Sequence, residues 1–413
     1  MNETTYIRRG TKTFRKTTLA MFCAGFNTFA IMYSTQPLLP EFSREFHISP
    51  TAASLSLSLT TIALAASMLF VGSVSEVKGR KPLMLFSLVS ASVLAFITAF
   101  VPNFHFLLLF RVLQGIVLAG LPAAAMAYLS EEIHPTDLGV AMGLYVSGVS
   151  IGGMSGRIIV GILTDYFNWR VAFGTIGVLS VLATILFWYL LPPSKHFRPR
   201  PMEIGKLLKS MFNHLKDPSL LSLYGIAFFI MGGFVTLFNY IGFQLMAPPY
   251  SLSQSLVSFI FVLYIIGTFS STWSGRKADI HGKSKMLRII LLIMISGAFL
   301  TLVTSLVIKI LGIALFVFGF FGSHSIASSW VGRQALHNKA QASSLYLFFY
   351  YAGSSVGGTV GGAFWQAFGW SGVISLILVF LLLAFLLSIG LTLISRPDRP
   401  PKKLRPLKKG LLL

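Results

Sequence analysis

The stretch Gly72–Pro82, GSVSEVKGRKP, ends a long apolar run and begins a basic turn. A second copy of its spacing lies 203 positions further along the chain. The shared unit is a glycine, an acidic residue four positions on, and then a glycine followed by a basic residue. Its members are Gly72, Glu76, Gly79, Arg80 and Lys81 in the first copy and Gly275, Asp279, Gly282 and Lys283 in the second. The same basic turn in two halves predicts a duplicated helical bundle and marks the membrane surface.

The composition is typical of a chain that lies in lipid. Hydrophobic residues make up 54% of the 413 and charged residues only 11%, whereas soluble domains carry about 25% charged residues. The net charge of +21 would suit nucleic acid, but the basic residues lie in short segments between apolar runs, so we exclude that partner. The single cysteine, Cys23, excludes an intramolecular disulfide. No metal-ligand spacing is present either, so we expect no metal and no cofactor.

Apolar runs of about twenty residues, the length that crosses a bilayer, recur along the chain. We predict an all-α membrane protein with twelve transmembrane helices in two pseudo-symmetric six-helix bundles. The predicted spans are residues 17–39, 53–75, 83–101, 106–127, 139–162, 170–191, 219–244, 254–275, 286–307, 310–331, 341–364 and 370–394. Residues 1–191 form the first predicted bundle, 192–218 a cytoplasmic linker with an amphipathic part at 202–216, and 219–413 the second bundle with a basic tail.

Basic residues set the predicted orientation. Of the 33 Lys and Arg residues, 28 lie in segments on one side of the predicted spans, and three lie on or beside segments of the other side. Positive charge remains on the cytoplasmic side, so both termini are predicted to be cytoplasmic. We therefore expect a multi-pass protein of a bacterial inner membrane.

Two glycine ladders, displaced by 205 positions, repeat the same pattern in spans five and eleven. They consist of Gly148, Gly152 and Gly156 and of Gly353, Gly357 and Gly361. A spacing of four places each set on one strip of a helix, where glycine allows the close backbone approach that packs helices in lipid. Helix packing is the favoured interpretation, and direct contact with a substrate is the alternative.

These features together resemble the major facilitator superfamily over essentially the whole chain. The two basic turns resemble its signature loop and the weaker second copy of that loop. Arg111, Gln114 and Gly115 (RVLQG) resemble its span-four arginine motif, and the span-five ladder resembles the antiporter signature of its twelve-span drug and sugar exporters. Two residues depart from the family pattern. Glu76 stands where aspartate is usual, and Arg157 follows Gly156 where the family has proline.

The resemblance implies that the basic turn is a conformational latch. In the family the acidic residue, here Glu76, caps a helix of the other half, while the basic residues hold nearby acids. Glu131 and Glu132 are the expected partners of the basic residues. The alternative is that Lys78, Arg80 and Lys81 only set the topology and meet lipid phosphates.

Arg111 and Arg157 lie inside predicted spans, where an unpartnered arginine costs about 3 kcal/mol or more. Each either snorkels to the outer headgroups or faces protein. The resemblance implies a cavity-facing position for Arg111. Arg157 could pair with Asp165 or present its guanidinium to an anionic or hydroxyl-rich substrate.

None of the twelve acidic residues lies deep in a predicted span. Exporters of lipophilic cations need a buried carboxylate, so this absence favours a neutral or weakly anionic substrate. His324, in span ten, is a candidate proton carrier because of its ordinary pKa range. Asp165 and Glu41 are other candidates. The alternative for His324 is a neutral ring hydrogen-bonded to Ser323 and Ser325.

Polar and aromatic residues on spans one, seven and eleven form the predicted cavity. Broken or kinked helices near the membrane midplane are where transporters bind their substrates. The predicted pathway consists of Tyr33, Gln36, Arg111, Gln114, Arg157, Asp165, Asn239, Tyr240, His324, Tyr346 and Tyr350.

The leading hypothesis is a secondary active transporter that exports a small sugar-like, neutral or weakly anionic compound or drug in exchange for protons. We expect a monomer, which is sufficient for this mechanism.

ATP cannot drive it directly, because the chain contains no GxxxxGK[ST] run. An importer or facilitator of a sugar or organic anion with the same fold is the first alternative. A membrane-embedded enzyme or a sensor is the alternative from another class, and without HExxH or GxSxG we expect no enzyme.

Overall fold

The computed structural model describes residues 6–199 and 204–394, and nearly all of these residues are helical. The predicted basic tail after residue 394, the first five residues and linker residues 200–203 lie outside the described residues. The helices of the first half are α1 (Lys12–Tyr33), α2 (Leu39–Glu45), α3 (Pro50–Lys78), α4 (Arg80–Thr98), α5 (Phe104–Leu118), α6 (Gly120–Glu132), α7 (Leu138–Tyr166) and α8 (Trp169–Leu190). The remaining helices are α9 (Ile204–Leu215), α10 (Pro218–Met246), α11 (Gln254–Ser258), α12 (Tyr264–His281), α13 (Lys283–Leu300), α14 (Leu306–Gln334) and α15 (Lys339–Ile394).

Within residues 6–199 and 204–394, nine helical stretches have the length and hydropathy of a membrane span. One of them, α15, is two spans in series, because Gly369 interrupts its helical backbone with a φ of 61°. Helices α1 and α13, which are not among these nine, each carry three basic residues within their first six positions and continue as apolar helices. Together these helices make the twelve crossings that the sequence predicts.

The two basic turns have the same backbone conformation. Gly79 separates α3 from α4 with a φ of 97°, and Gly282 separates α12 from α13 with a φ of 89°. A residue with a Cβ atom is strained in this left-handed region, whereas glycine adopts it freely. The repeated glycine of the sequence therefore makes a repeated corner between two antiparallel helices.

Two helix pairs pack backbone to backbone along the glycine ladders. A Cβ atom on Gly148 would lie 2.3 Å from the carbonyl oxygen of Phe22, and one on Gly152 would lie 2.2 Å from that of Phe26. On α15, a Cβ atom on Gly353 would lie 2.0 Å from the carbonyl oxygen of Phe228. Gly156 and Gly357 likewise meet the backbone of Ala30 and Gly232, whereas Gly361 meets the side chain of Tyr240. The ladders thus join α1 to α7 and α10 to α15.

Among the described residues, the hydrogen bonds between the two halves lie at one end of the bundle. We call the end with Gly79 and Gly282 the basic end and the opposite end the far end. In the described part of the chain, the hydrogen bonds that join α1–α8 and their connections to α10–α15 lie at the far end. They include Gln36 to Asn239 at 2.9 Å, Thr51 to Gln366 at 3.2 Å, Ser255 to Asp165 at 3.2 Å, and Gln254 to the carbonyl of Pro37.

Short segments cross the basic end of the first half. Ile7 pairs with Ile133 as a parallel bridge, and the ring of Tyr6 stacks on that of His196 at 4.5 Å. The carboxylate of Glu132 accepts hydrogen bonds from the backbone N–H groups of Lys195 and His196. The start of the linker is therefore fixed to the loop between spans four and five.

The structure differs from the predicted spans where helices break. The first helix ends at Tyr33 and is followed by a 3₁₀ turn at Gln36–Leu38, which contains Pro37. The eighth span is broken by a 3₁₀ segment at Phe259–Leu263, which the apolar sequence did not reveal. The amphipathic part of the linker is helical as α9.

Gly152→Ala is expected to destabilise the protein, because its methyl group would overlap the backbone of α1 at Phe26. Overpacking of this kind costs about 1–3 kcal/mol. Gly143→Ala, on the same helix with no heavy atom within 4 Å of the added Cβ, is the matched control. Melting temperatures of the detergent-purified proteins measure the difference. An equal melting temperature for the two variants would contradict the close contact.

Candidate functional site

Arg157 lies in a cage of aromatic rings contributed by both halves. Its side chain is buried, with a relative exposure of 2%. The guanidinium carbon lies 4.0 Å from the ring centre of Tyr33, 4.8 Å from that of Phe261 and 5.1 Å from that of Tyr264. Ring faces stabilise a desolvated cation by about 2 kcal/mol. None of the ion pairs within the described residues includes Arg157, so aromatic rings and neutral acceptors surround this cation.

Two side-chain amides extend from Arg157 across the boundary between the halves. The Nε group of Arg157 donates to Oε1 of Gln36 at 2.7 Å, and Nη1 donates to the carbonyl of Gly153. Nε2 of Gln36 in turn donates to Oδ1 of Asn239 at 2.9 Å. The amide nitrogen of Asn239 is buried and has no hydrogen-bond partner in the described part of the chain. This chain of contacts links α7, the 3₁₀ turn after α1, and α10.

A second group of polar rings lies on α14 and α15. Nδ1 of His324 lies 3.0 Å from the hydroxyl of Tyr346, and its ring centre lies 4.7 Å from that of Tyr350. His324 and Tyr350 are partly exposed, whereas Tyr346 is buried. The predicted hydrogen bonds of His324 to its neighbouring serines are not formed, because the helical backbone turns those side chains toward other helices; Ser325, for example, donates to the carbonyl of Ser271.

Arg111 lies against backbone carbonyls and, with Gln114, lines a small cavity. Its guanidinium donates to the carbonyls of Ile31, Met32 and Ser56 at 2.5–3.0 Å and to Gln114 at 2.6 Å. Two of these carbonyls belong to the last turn of α1, where a cation offsets the negative end of the helix dipole. The side chain is 1% exposed, so Arg111 does not snorkel to the outer headgroups in this structure.

Asp165 and Tyr240 lie at the far end, away from the aromatic cage contacts of Arg157. Asp165 is exposed and accepts a hydrogen bond from the backbone N–H of Ser255, so the alternative pairing of Arg157 with Asp165 is not formed. Tyr240 is fully buried, and its hydroxyl donates to the carbonyl of Gly358 at 2.5 Å. Both side chains hold helices together in this structure.

The first basic turn is held to its own half. Nη2 of Arg80 lies 2.8 Å from the carboxylate of Glu131, and Lys81 donates to the carbonyl of Leu191. Glu132 is not a partner of the turn, which corrects the prediction, because its carboxylate is occupied by the linker backbone. Glu76 is half-buried and makes no hydrogen bond or ion pair within the described residues.

The second basic turn repeats this arrangement with weaker partners. Asp279 pairs with Arg333 at 2.8 Å, and both side chains are more than half exposed. Lys283 is buried, and its ammonium group donates to Ser329 at 2.7 Å. Both turns therefore bind the fourth span of their own half, through α6 in the first half and through α14 in the second.

Comparison with known proteins identifies the family. The family model of the Major Facilitator Superfamily matches residues 17–331 and 238–412. The chain belongs to the Major Facilitator Superfamily. It is 58% identical to the uncharacterized MFS-type transporter YybF of Bacillus subtilis, over 97% of this chain and 99% of the relative. It is 45% identical to the inner membrane transport protein YnfM of Escherichia coli, over 94% of this chain and 93% of the relative.

Solved structures of the superfamily share the fold. A bacterial homolog of the human lysosomal transporter Spinster, in an inward-facing and unoccupied conformation, superimposes with a TM-score of 0.78 over 94% of this chain and 99% of that chain, at 16% identity. The nucleoside transporter NupG superimposes with a TM-score of 0.72 over 92% and 100%, at 15% identity. The protein is therefore a multi-pass membrane transporter of the bacterial inner membrane, as its sequence predicts.

The structure of this transporter brings together residues from five predicted spans and adds two that the sequence did not single out. Tyr33, Gln36, Arg157 and Asn239 are in one connected group, and Tyr350 lies within electrostatic reach of Arg157. Phe261 and Tyr264 were missed because they lie in an apolar stretch of the eighth span without a charge, glycine or proline to mark it.

A double-mutant cycle should separate the two ion pairs of the basic turns. Arg80→Met with Glu131→Gln removes a pair whose side chains are 11% and 27% exposed, and we expect a coupling energy of about 1–3 kcal/mol. Arg333→Met with Asp279→Asn is the control, with side chains 55% and 59% exposed and an expected coupling of about 0.2–1 kcal/mol. Thermal unfolding in detergent provides the comparison, and equal couplings would contradict the burial argument.

Proposed function

We propose that this transporter moves a small neutral or weakly anionic solute by alternating access and exchanges it for protons, with Arg157 as the cation that meets the solute. The observation that supports the proposal is a buried guanidinium at the boundary of the halves to which no carboxylate of the described residues is bound. A cation in a low-dielectric interior is stabilised by an anion or by strong acceptors. A bound solute with a negative charge or several oxygens supplies these.

The position of Arg157 supports this role better than that of Arg111. Every guanidinium nitrogen of Arg111 donates to the protein, whereas Nη2 of Arg157 has no hydrogen-bond partner among the described residues. The aromatic cage around Arg157 includes rings from both halves. A solute bound here would contact both halves, which is what alternating access about a central site uses.

The closed far end supports an inward-facing state. The basic end is cytoplasmic by the distribution of Lys and Arg, so the far end faces outward. We propose that residues 1–191 and 219–413 move as two bodies joined by the linker 192–218. In the opposite state Glu76, which has no partner within the described residues, would reach the other half while Arg80 keeps Glu131. Glu76, rather than the basic residues, is then the part of the latch that engages and releases.

His324 is the proposed proton carrier of the cycle. It is partly exposed, it hydrogen-bonds to Tyr346, and Tyr350 connects it to the surroundings of Arg157. A proton on His324 would add a second positive charge near Arg157 and so change the electrostatic potential at the cage. Protonation of His324 and binding of the solute are thereby coupled, as proton-driven transport requires. Asp165 is less suited, because it is exposed at the far end.

Import or facilitated passage of a sugar or organic anion is the alternative, because the same site would serve either direction. The relatives YybF and YnfM are described only as transporters. Solute movement with and without an imposed proton gradient, in vesicles of both orientations, separates export from import.

Arg157→Lys is expected to lower transport at least about tenfold, because an ammonium group does not reproduce the guanidinium fork or its stacking. The exposed Arg44→Lys is the control and should transport normally. Purified protein in liposomes, screened with small neutral and anionic solutes by thermal shift and then by proton flux, provides the assay. Undiminished transport by a folded Arg157→Lys protein would refute the proposed site.

His324→Gln keeps a hydrogen-bonding group near Tyr346 but removes the titrating ring. We expect exchange of solute for solute to persist and transport driven by a pH gradient to be lost. Tyr346→Phe is the control, since it removes the same hydrogen bond and leaves the ring of His324. Full pH-driven transport by His324→Gln would exclude this residue as the proton carrier.

A further inference from the structure

Gln36 occupies half of one edge of the Arg157 guanidinium. Nε and Nη2 of an arginine point in parallel and form an edge that fits the two oxygens of a carboxylate. Here Nε donates to Oε1 of Gln36 at 2.7 Å, Nη1 donates to Gly153, and Nη2 has no partner within the described residues. A neutral amide oxygen thus stands where one oxygen of a carboxylate would bind.

The same contact sets the orientation of two amides in sequence. Arginine has only donors, so Gln36 must turn its oxygen toward Arg157 and its nitrogen away. That nitrogen donates to Asn239, which must therefore present its oxygen to Gln36 and leaves its own amide nitrogen buried without a partner. Asn239 is held in this orientation only because Arg157 holds Gln36.

We propose that Gln36 keeps the place of a substrate carboxylate on Arg157, and that its displacement by that carboxylate releases Asn239 and the far end. This inference rests on the proposed function, because it takes Arg157 as the residue that meets the solute. It adds the chemical class of the solute, a monocarboxylate, and gives Gln36 and Asn239 the role of positioning residues that report whether the site is occupied.

A carboxylate fits the available donors better than a phosphate. One edge of a single guanidinium offers two parallel N–H groups, which a planar carboxylate uses completely. A phosphate dianion would require a second cation, and no other cation lies over the rings of the cage among the described residues. The aromatic rings around the edge suit the uncharged part of the solute.

Release of Asn239 would loosen the far end because few hydrogen bonds between the halves close it. Gln36 to Asn239 is one of the four hydrogen bonds described above between the halves, and it is fully buried. Loss of one neutral hydrogen bond changes an equilibrium by about fivefold. A bound carboxylate would therefore shift the protein toward the state that is open at the far end.

The test uses the full chain with Cys23→Ser and a reporter, Ser258→Cys, at a fully buried far-end position. Labelling of the reporter by an impermeant maleimide in liposomes measures opening. Acetate, benzoate and gluconate are the probes, with acetamide, benzamide and glucose as uncharged counterparts. We expect at least one carboxylate to raise labelling of the otherwise unsubstituted protein, and its uncharged counterpart to have no effect.

Substitutions of Gln36 should act in opposite directions. Gln36→Ala removes the competitor, so the effective carboxylate should bind about fivefold more tightly. Gln36→Glu supplies a permanent carboxylate, so added carboxylates should have no effect. A residue that contacts the solute directly would weaken binding in both variants. Asn239→Ala should raise labelling about fivefold without any probe, because the amide bridge is lost.

A separate result would contradict each part of the inference. The role of the amides would be overturned if Gln36→Ala bound the carboxylate more weakly. It would also be overturned if Asn239→Ala left labelling of the reporter cysteine unchanged. Equal responses to the carboxylates and their uncharged counterparts, or no response to any probe, would overturn the carboxylate class. The proposed function is judged separately by transport in Arg157→Lys, since the labelling of Asn239→Ala requires neither a solute nor transport.

Discussion

A positive charge inside a membrane protein must be surrounded by groups that replace water, and the structure meets this constraint in two ways. At Arg111, the carbonyls at the end of α1, together with Ser56 and Gln114, take up the guanidinium completely. At Arg157, aromatic rings, the side-chain amide oxygen of Gln36 and the carbonyl of Gly153 do so incompletely. The first arrangement holds one half together. The second lies between the halves and leaves donor capacity for a solute.

The duplicated helical scaffold positions Arg157 between the two halves. The glycine ladders bring α7 against α1 and α15 against α10 at backbone distance, where a side chain would not fit. Such pairs bury little apolar surface per residue but leave no gap, which supplies packing contacts where lipid removes the hydrophobic driving force between helices. Between the halves, by contrast, the described hydrogen bonds are few and lie at one end.

The sequence was sufficient for the fold, because span length, basic turns and repeated glycines are all periodic features of the chain. Gly79 and Gly282 could be predicted as turns since their neighbours repeat, and they share a positive φ. The site was predicted in part. Arg157 stood out as a charge in an apolar run, but its partners depended on the helix break at Phe259–Leu263, which leaves no mark in an apolar sequence.

The paired packing of α1 with α7 has a consequence for how a solute experiences the cycle. Tyr33 ends α1, Gln36 follows it directly, and Arg157 lies on α7, so these three side chains belong to one rigid frame. Phe261, Tyr264 and Asn239 belong to the opposite half. A solute bound here would thus keep its contacts with the first half throughout the transport cycle, while its contacts with the second half change.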